Sequence, residues 1–302
     1  DQYWNSALSK PIDEFLSSKP SIKDLQNTRT RLEESLDETR KQNHALYQQL
    51  MTFKTAPRMD IWRKELIWAW NQALWDAPSK VLAKDEPDPQ LLLTTQLAPE
   101  LRGVSKELIM ISAYFVPGQP GLVYLTGRAD AGVSVSLLTN SLEATDVPAV
   151  HGGYAPYRKA LLEHGVKLYE LRRQPGDNYG SGPHLFYSKS FRGSDSSLHS
   201  KAMIFDRQKA FIGSFNFDPR SVLWNTEVGV LVDSPELAGH VRELALQGMA
   251  PALSYQAKLQ DGKIVWVTED NGQMHTLTQE PGSWWRRFNA WFSTTVGLER
   301  ML

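Results

Sequence analysis

The 302-residue chain contains no cysteine. Disulfides, thiolate nucleophiles and Cys-ligated zinc are excluded, and the redox compartment is left open. An excess of charge is also lacking. Its 33 Lys and Arg face 34 Asp and Glu, for a formal net charge of −1. No global attraction to nucleic acid follows from that balance, although a local basic groove stays open. No run of about 18 uncharged apolar residues occurs, so nothing reads as a transmembrane helix. There is no initiator Met and no recognisable signal peptide; DQYWNS at 1–6 reads as the middle of a fold. The expectation is therefore a fragment or processed product of a longer chain. What is present is 41% apolar residues, enough for a packed core rather than a disordered chain.

Taken in order, residues 1–20 carry Tyr3 and Trp4 and then Pro11 and Pro20, a connection between elements. Ser21 and Asp24 resemble a capping box, and Leu25, Leu32, Leu36, Leu46 and Leu50 recur along a stretch without Gly or Pro. This predicts a long amphipathic helix to about Phe53 that packs on a neighbour or joins a coiled coil. Trp62, Trp68, Trp70 and Trp75 then crowd residues 57–80, as a buried packing surface or a membrane-facing belt. A charged, Pro-rich stretch at 82–90 marks a boundary. Residues 1–90 form a helical inter-lobe segment in this reading, and 91–302 one catalytic lobe. Within the lobe, strands at 108–115, 133–138 and 166–171 alternate with helices at 91–104, 121–131 and 154–164, the last closed by Gly165. That alternation predicts an α/β fold with a mixed, mainly parallel sheet flanked by helices. A long polar loop follows at 174–197. Strands are expected near 200–206, 209–213 and 227–232, a helix at 235–247, and a hairpin of 252–259 and 263–268 turning at Asp261-Gly262.

The chemistry concentrates between Leu198 and Glu227. On a strand, His199 and Lys201 share a face, so an imidazole and an ammonium stand together as a phosphate station. Gly213 and Ser214 let the backbone approach a ligand, and the Ser214 hydroxyl and Asn216 amide are candidate phosphate donors. Glu227 is the candidate to hold His199 by its other ring nitrogen. Asp206, at an odd offset from Lys201, should face away as a structural carboxylate paired with Arg207 or Arg220.

HSKAMIFD, GSFNFDPRS and NTE together resemble the HKD motif of the phospholipase D superfamily. With AYFVPG at 113–118, GVSVSLLTNSLEATD at 132–146 and VHGGYAPYRKALLEHGVKLYEL at 150–171, the chain is similar to the second lobe of bacterial cardiolipin synthases of the C type. The resemblance implies a phospholipase D-like lobe and phosphatidyl transfer through a phosphohistidine, most directly cardiolipin synthesis. It makes His199, Lys201 and Glu227 catalytic, Lys201, Ser214 and Asn216 phosphate-binding, and Asp206 a structural part of the motif. No metal and no cofactor is implied, because cationic side chains neutralise the phosphate. The implied substrates are phosphatidylglycerol and, as a further donor, phosphatidylethanolamine, at a bacterial cell membrane on its peripheral or periplasmic face. Family members of this type carry two HKD motifs. None of the other six histidines starts an H-x-K-x4-D pattern. The expected partner is therefore a complementary HKD lobe, from a missing N-terminal half or from a second copy across a two-fold axis.

Tyr114, Asn140, His151 and Tyr154 follow strand ends, where α/β sheets place ligand sites. They are candidate substrate-lining residues, with loop hydrogen bonding as the alternative. The tail pairs Trp284, Trp285, Phe288, Trp291 and Phe292 with Arg286 and Arg287, suited to a membrane interface or to packing on the fold. Two other functional classes remain: a nuclease of the same superfamily, disfavoured by the neutral charge balance and abundant Trp, and a non-catalytic phosphate-binding lobe.

Overall fold

The computed structural model describes residues 21–42, 66–83, 86–173 and 198–296. They belong to two units divided between Trp68 and Ala69. In the first, Ser21 opens helix α1 (Ile22–Gln42) by a reciprocal cap. Asp24 N–H donates to Ser21 Oγ, and Asp24 Oδ2 accepts from Ser21 N–H. Leu25, Leu32 and Leu36 are exposed along it. The remainder of the expected helix, with Leu46 and Leu50, and also Trp62 and the loop 174–197, lie outside the described residues.

The second unit is built around β2 (Glu107–Ser112), an apolar run buried at every position. A strand with both faces apolar needs cover on both sides. Leu108 and Met110 enter one core with Leu93 and Leu97 of α2 (Leu93–Gly103), Leu125 of α3 (Gly118–Asp130) and Leu161 of α5 (Arg158–Glu163). Ile109 and Ile111 enter the opposite core with Ala238 and Ala245 of α7 (Pro235–Gly248). Parallel neighbours β3 (Ser134–Asn140) and β4 (Lys167–Leu171) extend the sheet on one side, joined by α4 (Pro148–Tyr154) and α5. On the other side, β5 (Lys201–Phe205), β6 (Lys209–Gly213) and β7 (Val228–Asp233) run antiparallel, with the short helix α6 (Pro219–Leu223) between the last two.

The sheet is mixed and flanked by helices, but its balance differs from the expectation. Among the described residues its ten strands, which include the edge strand β1 (Trp70–Trp75) and, beyond β4, the strands β8 (Ser254–Gln260), β9 (Lys263–Asp270) and β10 (Gln273–Leu277), lie in the order β1-β7-β6-β5-β2-β3-β4-β8-β9-β10, and only the β2–β3 and β3–β4 pairings are parallel. Antiparallel returns between distant strands (β1–β7, β2–β5 and β4–β8) are one reason, and turn chemistry is the other. Asp261-Gly262 joins β8 (Ser254–Gln260) to β9 (Lys263–Asp270), and Asn271-Gly272 joins β9 to β10 (Gln273–Leu277), each pair with positive φ as a tight hairpin requires. The second hairpin was legible in the Asn-Gly pair and was not anticipated.

Within the segment 1–90, expected to be helical, one described stretch is a strand. Trp70–Trp75 forms edge strand β1 against β7, with Trp75 opposite Val228. Leu74 is the one buried residue of this strand and its other five positions are exposed, so no apolar alternation announces it. The last described element is α8 (Trp284–Val296).

Asp206 and Arg207 turn the β5–β6 hairpin with φ of 53° and 61°. The Asp206 carboxylate bonds neither Arg207 nor Arg220. It gathers the backbone N–H groups of Ser105, Lys106 and Glu107 at 2.7–3.2 Å, capping the start of β2. Arg207 instead joins Arg242 on Glu107, whose carboxyl burial would raise but the two guanidinium groups hold at about 2. Burial also acts to raise the Asp206 carboxyl, and the converging N–H groups outweigh it, so its pKa is lowered. Its contribution to stability is therefore complete above the ordinary carboxylate range and fades as pH falls through the folded-state value. Asp206→Asn is expected to lower Tm by about 2–4 °C with the acid side of the stability profile flattened. Thermal melts across pH check this, and an unchanged melt would exclude the capping role.

Candidate active site

β5 begins at Lys201, beside the end of β2, where Ser112 pairs with it. The segment that delivers His199 is fixed one residue earlier. Asn140, at the end of β3, accepts from Leu198 N–H at 2.8 Å and donates to the carbonyls of Leu198 and Ala113 at 3.0 Å each. His199 itself is exposed, while Lys201 is buried and donates to His199 O at 2.6 Å. The two open on a cleft of about 470 Å³ whose opposite wall comes from β6 and β7, with Ser214 at its rim. Gly213 and Gly229 face each other across the β6–β7 pair, and a Cβ on either would strike backbone or the Phe211 ring. Glycine there is what allows the cleft floor to lie flat against the sheet.

Burial pushes the Lys201 ammonium below its ordinary pKa; Glu227, Asp146 and Asp218 oppose the shift without cancelling it. An arriving phosphate would add negative charge and favour the charged form further. Asn216 is buried, and its Oδ1 accepts from Tyr114 N–H at 3.2 Å. That bond fixes the amide's orientation, and its Nδ2 donates to no described residue. The Ser214 hydroxyl bonds the Glu227 carboxylate and accepts from Val228 N–H at 3.0 Å. Its capacity is committed to holding Glu227 rather than a phosphate. Tyr114 donates its hydroxyl to both oxygens of Asp146, at 2.8 and 3.0 Å, and burial, then Asp146, raises its pKa.

The structure thus brings His199, Lys201, Ser214, Asn216 and Glu227 to one end of the sheet, with Tyr114 close by through Asn216 and Asp146. It separates the other three expected lining residues from the cleft. Asn140 is buried with its amide spent on backbone. His151 and Tyr154 are buried in a polar cluster, where Tyr154 donates to Glu170 Oε1 at 3.1 Å and His151 Nε2 lies 2.6 Å from Glu280. His151, Glu170 and Glu280 place potential metal-ligand atoms within 4.8 Å of one another. Arg158 already supplies the cation there, pairing with Glu280 and lying 2.7 Å from Glu170 Oε1.

Three contributors were missed from sequence. Asp218 accepts from Ser221 N–H at 2.6 Å as N-cap of α6, and burial raises its carboxyl to about 6. The Asp-Pro pair at 218–219 was the available signal. Asp76 and Lys80 form a buried ion pair at 2.8 Å. Asp76 Oδ2 also accepts from Glu227 N–H at 2.8 Å, Asp76 N–H donates to Glu227 O at 2.9 Å, and Oδ1 accepts from Leu93 N–H at 2.6 Å. Lys80 continues to Ser221 O at 2.9 Å. No local pattern connects position 76 with position 227.

A family model described as cardiolipin synthase, PLD-like domain, matches residues 97–247. Cardiolipin synthase C of Escherichia coli (strain K12) is 38% identical over 240 residues, covering 78% of this chain and 49% of that protein. An uncharacterized protein of Helicobacter pylori (strain ATCC 700392 / 26695) is 31% identical over 220 residues, covering 71% and 40%. The chain spans about half the length, or less, of these curated relatives. A solved phospholipase D family member, Nuc from Salmonella typhimurium, aligns with a TM-score of 0.45 and 14% identity over 64% of this chain and 100% of that one.

Removing one partner from a buried ion pair leaves the other charge uncompensated. Lys80→Met should therefore cost about 3–5 kcal/mol of unfolding free energy, measured by urea titration. A loss under about 1 kcal/mol would show that the pair does not hold this corner together.

Proposed function

The chain belongs to the phospholipase D superfamily, within the family of cardiolipin synthase PLD-like domains, and from that premise we propose that it supplies one side of a phosphatidyltransferase site acting on phospholipids. The observation that carries the reading is the opening of His199, Lys201 and Ser214 on one cleft, with Glu227 bonded by Ser214 and Asn216 fixed by Tyr114 N–H at the same end of the sheet. Lys201 and Asn216 hold the phosphate oxygens. Glu227, kept in place by Ser214 and Asp76, orients His199 and supports its positive charge.

In the first step one histidine attacks phosphorus. A P–N bond forms, the P–O bond to the head-group alcohol breaks, and a second histidine protonates the leaving oxygen. In the second step an acceptor hydroxyl gives its proton back to that second histidine and attacks phosphorus as the P–N bond breaks. The glycerol hydroxyl of phosphatidylglycerol as acceptor yields cardiolipin; water yields phosphatidic acid. Phosphatidylethanolamine is the further candidate donor.

His199 is one of the two histidines. The other would come from a complementary HKD lobe. Three features support that half-site: the single H-x-K-x4-D pattern, the length relative to the curated relatives, and the exposed Ile212, Val228 and Val230 rimming the cleft beside His199. A second lobe would cover that apolar rim. Among the described residues no helix is long and apolar enough to cross a membrane, and the proposed setting is the surface of a bacterial cell membrane.

The test is lipid mass spectrometry after incubation with phosphatidylglycerol, with and without phosphatidylethanolamine, using the chain joined to its complementary lobe. New cardiolipin or phosphatidic acid is expected, falling at least about 10³-fold in His199→Ala. Cleavage of nucleic acid with no change in the lipids would replace the reading by a nuclease; activity retained in His199→Ala would remove His199 from the chemistry.

A further inference from the structure

α8 turns its aromatic side outward. Trp284 is 68% exposed and Trp285 and Trp291 are each 61% exposed, with Phe288 and Phe292 also on the open side. The rings are organised. Phe288 sits at the hub, with Trp284, Trp285, Trp291 and Phe292 at centroid distances of 5.6 to 6.3 Å from it. A helix in water hides such a surface, and a contiguous apolar patch of this kind marks a contact.

The helix is not a loose tail. Ala290 is buried against Gly152 of α4 so closely that a Cβ on the glycine would strike the Ala290 carbonyl. Arg286 donates to the carbonyls of Leu142 and Thr145 at 3.0 and 2.6 Å, and Arg287 donates to Glu280 O at 3.0 Å. The residue after Thr145 is Asp146, which receives the Tyr114 hydroxyl and acts electrostatically on Lys201. The aromatic ledge is thus fastened to the loop that borders the candidate active site, at the same end of the sheet.

We propose that α8 is a membrane-docking ledge that seats the cleft on a bilayer containing anionic phospholipid. Trp and Phe favour the boundary between head groups and acyl chains. The helix carries Arg286 and Arg287 and no acidic residue; among the described residues their guanidinium groups donate to backbone carbonyls and not to a carboxylate, so their positive charge is left to complement an anionic surface. At 13 residues it extends about 20 Å, too short to span a hydrocarbon core of about 30 Å, and it lies in the interface. The inference draws the substrate class from the phosphatidyltransferase reading; the docking geometry stands on the helix itself.

The experiment measures binding rather than turnover. The full chain is floated with vesicles of phosphatidylglycerol and phosphatidylethanolamine, and Trp fluorescence is quenched by lipids brominated at graded depth. Wild type should float and be quenched from shallow positions. W284S/W285S/F288S should lose at least tenfold in partitioning while its circular dichroism and melting stay unchanged. Gly152→Leu, which dislodges α8 from α4, should reduce partitioning with all rings intact. Wild type that does not float, or a triple variant that floats equally well, overturns the proposal. So does a triple variant that converts an oligomer to a monomer without loss of vesicle binding, since a second copy would then be the occupant. Vesicle binding lost in the variant, with no lipid turnover by wild type joined to its complementary lobe, upholds the ledge and counts against the phosphatidyltransferase reading alone.

Discussion

One buried carboxylate fastens the working end of the sheet. Asp76 joins four segments: its own edge strand through the turn after Trp75, the start of α2 through Leu93 N–H, the α6 region through Lys80, and Glu227 through both its N–H and its carbonyl. A carboxylate stripped of water needs several donors to be tolerated, and each donor here belongs to a segment that must meet the others for the cleft to exist. The desolvation cost thereby enforces registry. Glu227 cannot drift along β7 without abandoning Asp76, and the Ser214 hydroxyl then loses the carboxylate that it holds.

Asn140 works in the same manner on the opposite wall. Its three hydrogen bonds leave Leu198 one arrangement, so His199 enters the cleft from a defined direction even though its own ring is exposed. The exposed and buried members of the site divide the labour. His199 is exposed at the cleft, whereas buried Asn140 and Asp76 commit their hydrogen-bonding capacity to neighbouring segments and set position.

Legibility followed sequence distance. The β5–β6 hairpin and the β2 strand were readable, because alternation and uninterrupted apolar runs are local signals. The HKD stretch was readable as chemistry, since His199 and Lys201 carry their relation in their spacing. The direction of most strand pairings was not, because βαβ spacing near β2–β4 was extended over a sheet whose other joints are hairpins or antiparallel returns between distant strands. β1 was hidden because five of its six positions are exposed, leaving no apolar alternation to read. Asp76, 151 positions before Glu227, had no signal at all in one sequence. His151 and Tyr154 followed a strand end, as binding residues do, yet their burial with Glu170 and Arg158 turned them inward.

That inward cluster has a bearing on how the C-terminal segment responds to acidity. Burial would raise the Glu280 carboxyl, but Arg158, followed by His151, brings it to about 2, while Glu170 and Glu280 keep Arg158 charged against its own burial. Across ordinary solution conditions neither member of the Arg158–Glu280 pair changes its protonation. An anionic lipid surface gathers protons and is locally more acidic than the bulk. The Arg158–Glu280 pair just before α8 keeps both its charges across that gradient, so this one fastening of the C-terminal segment does not loosen as the surroundings turn acid.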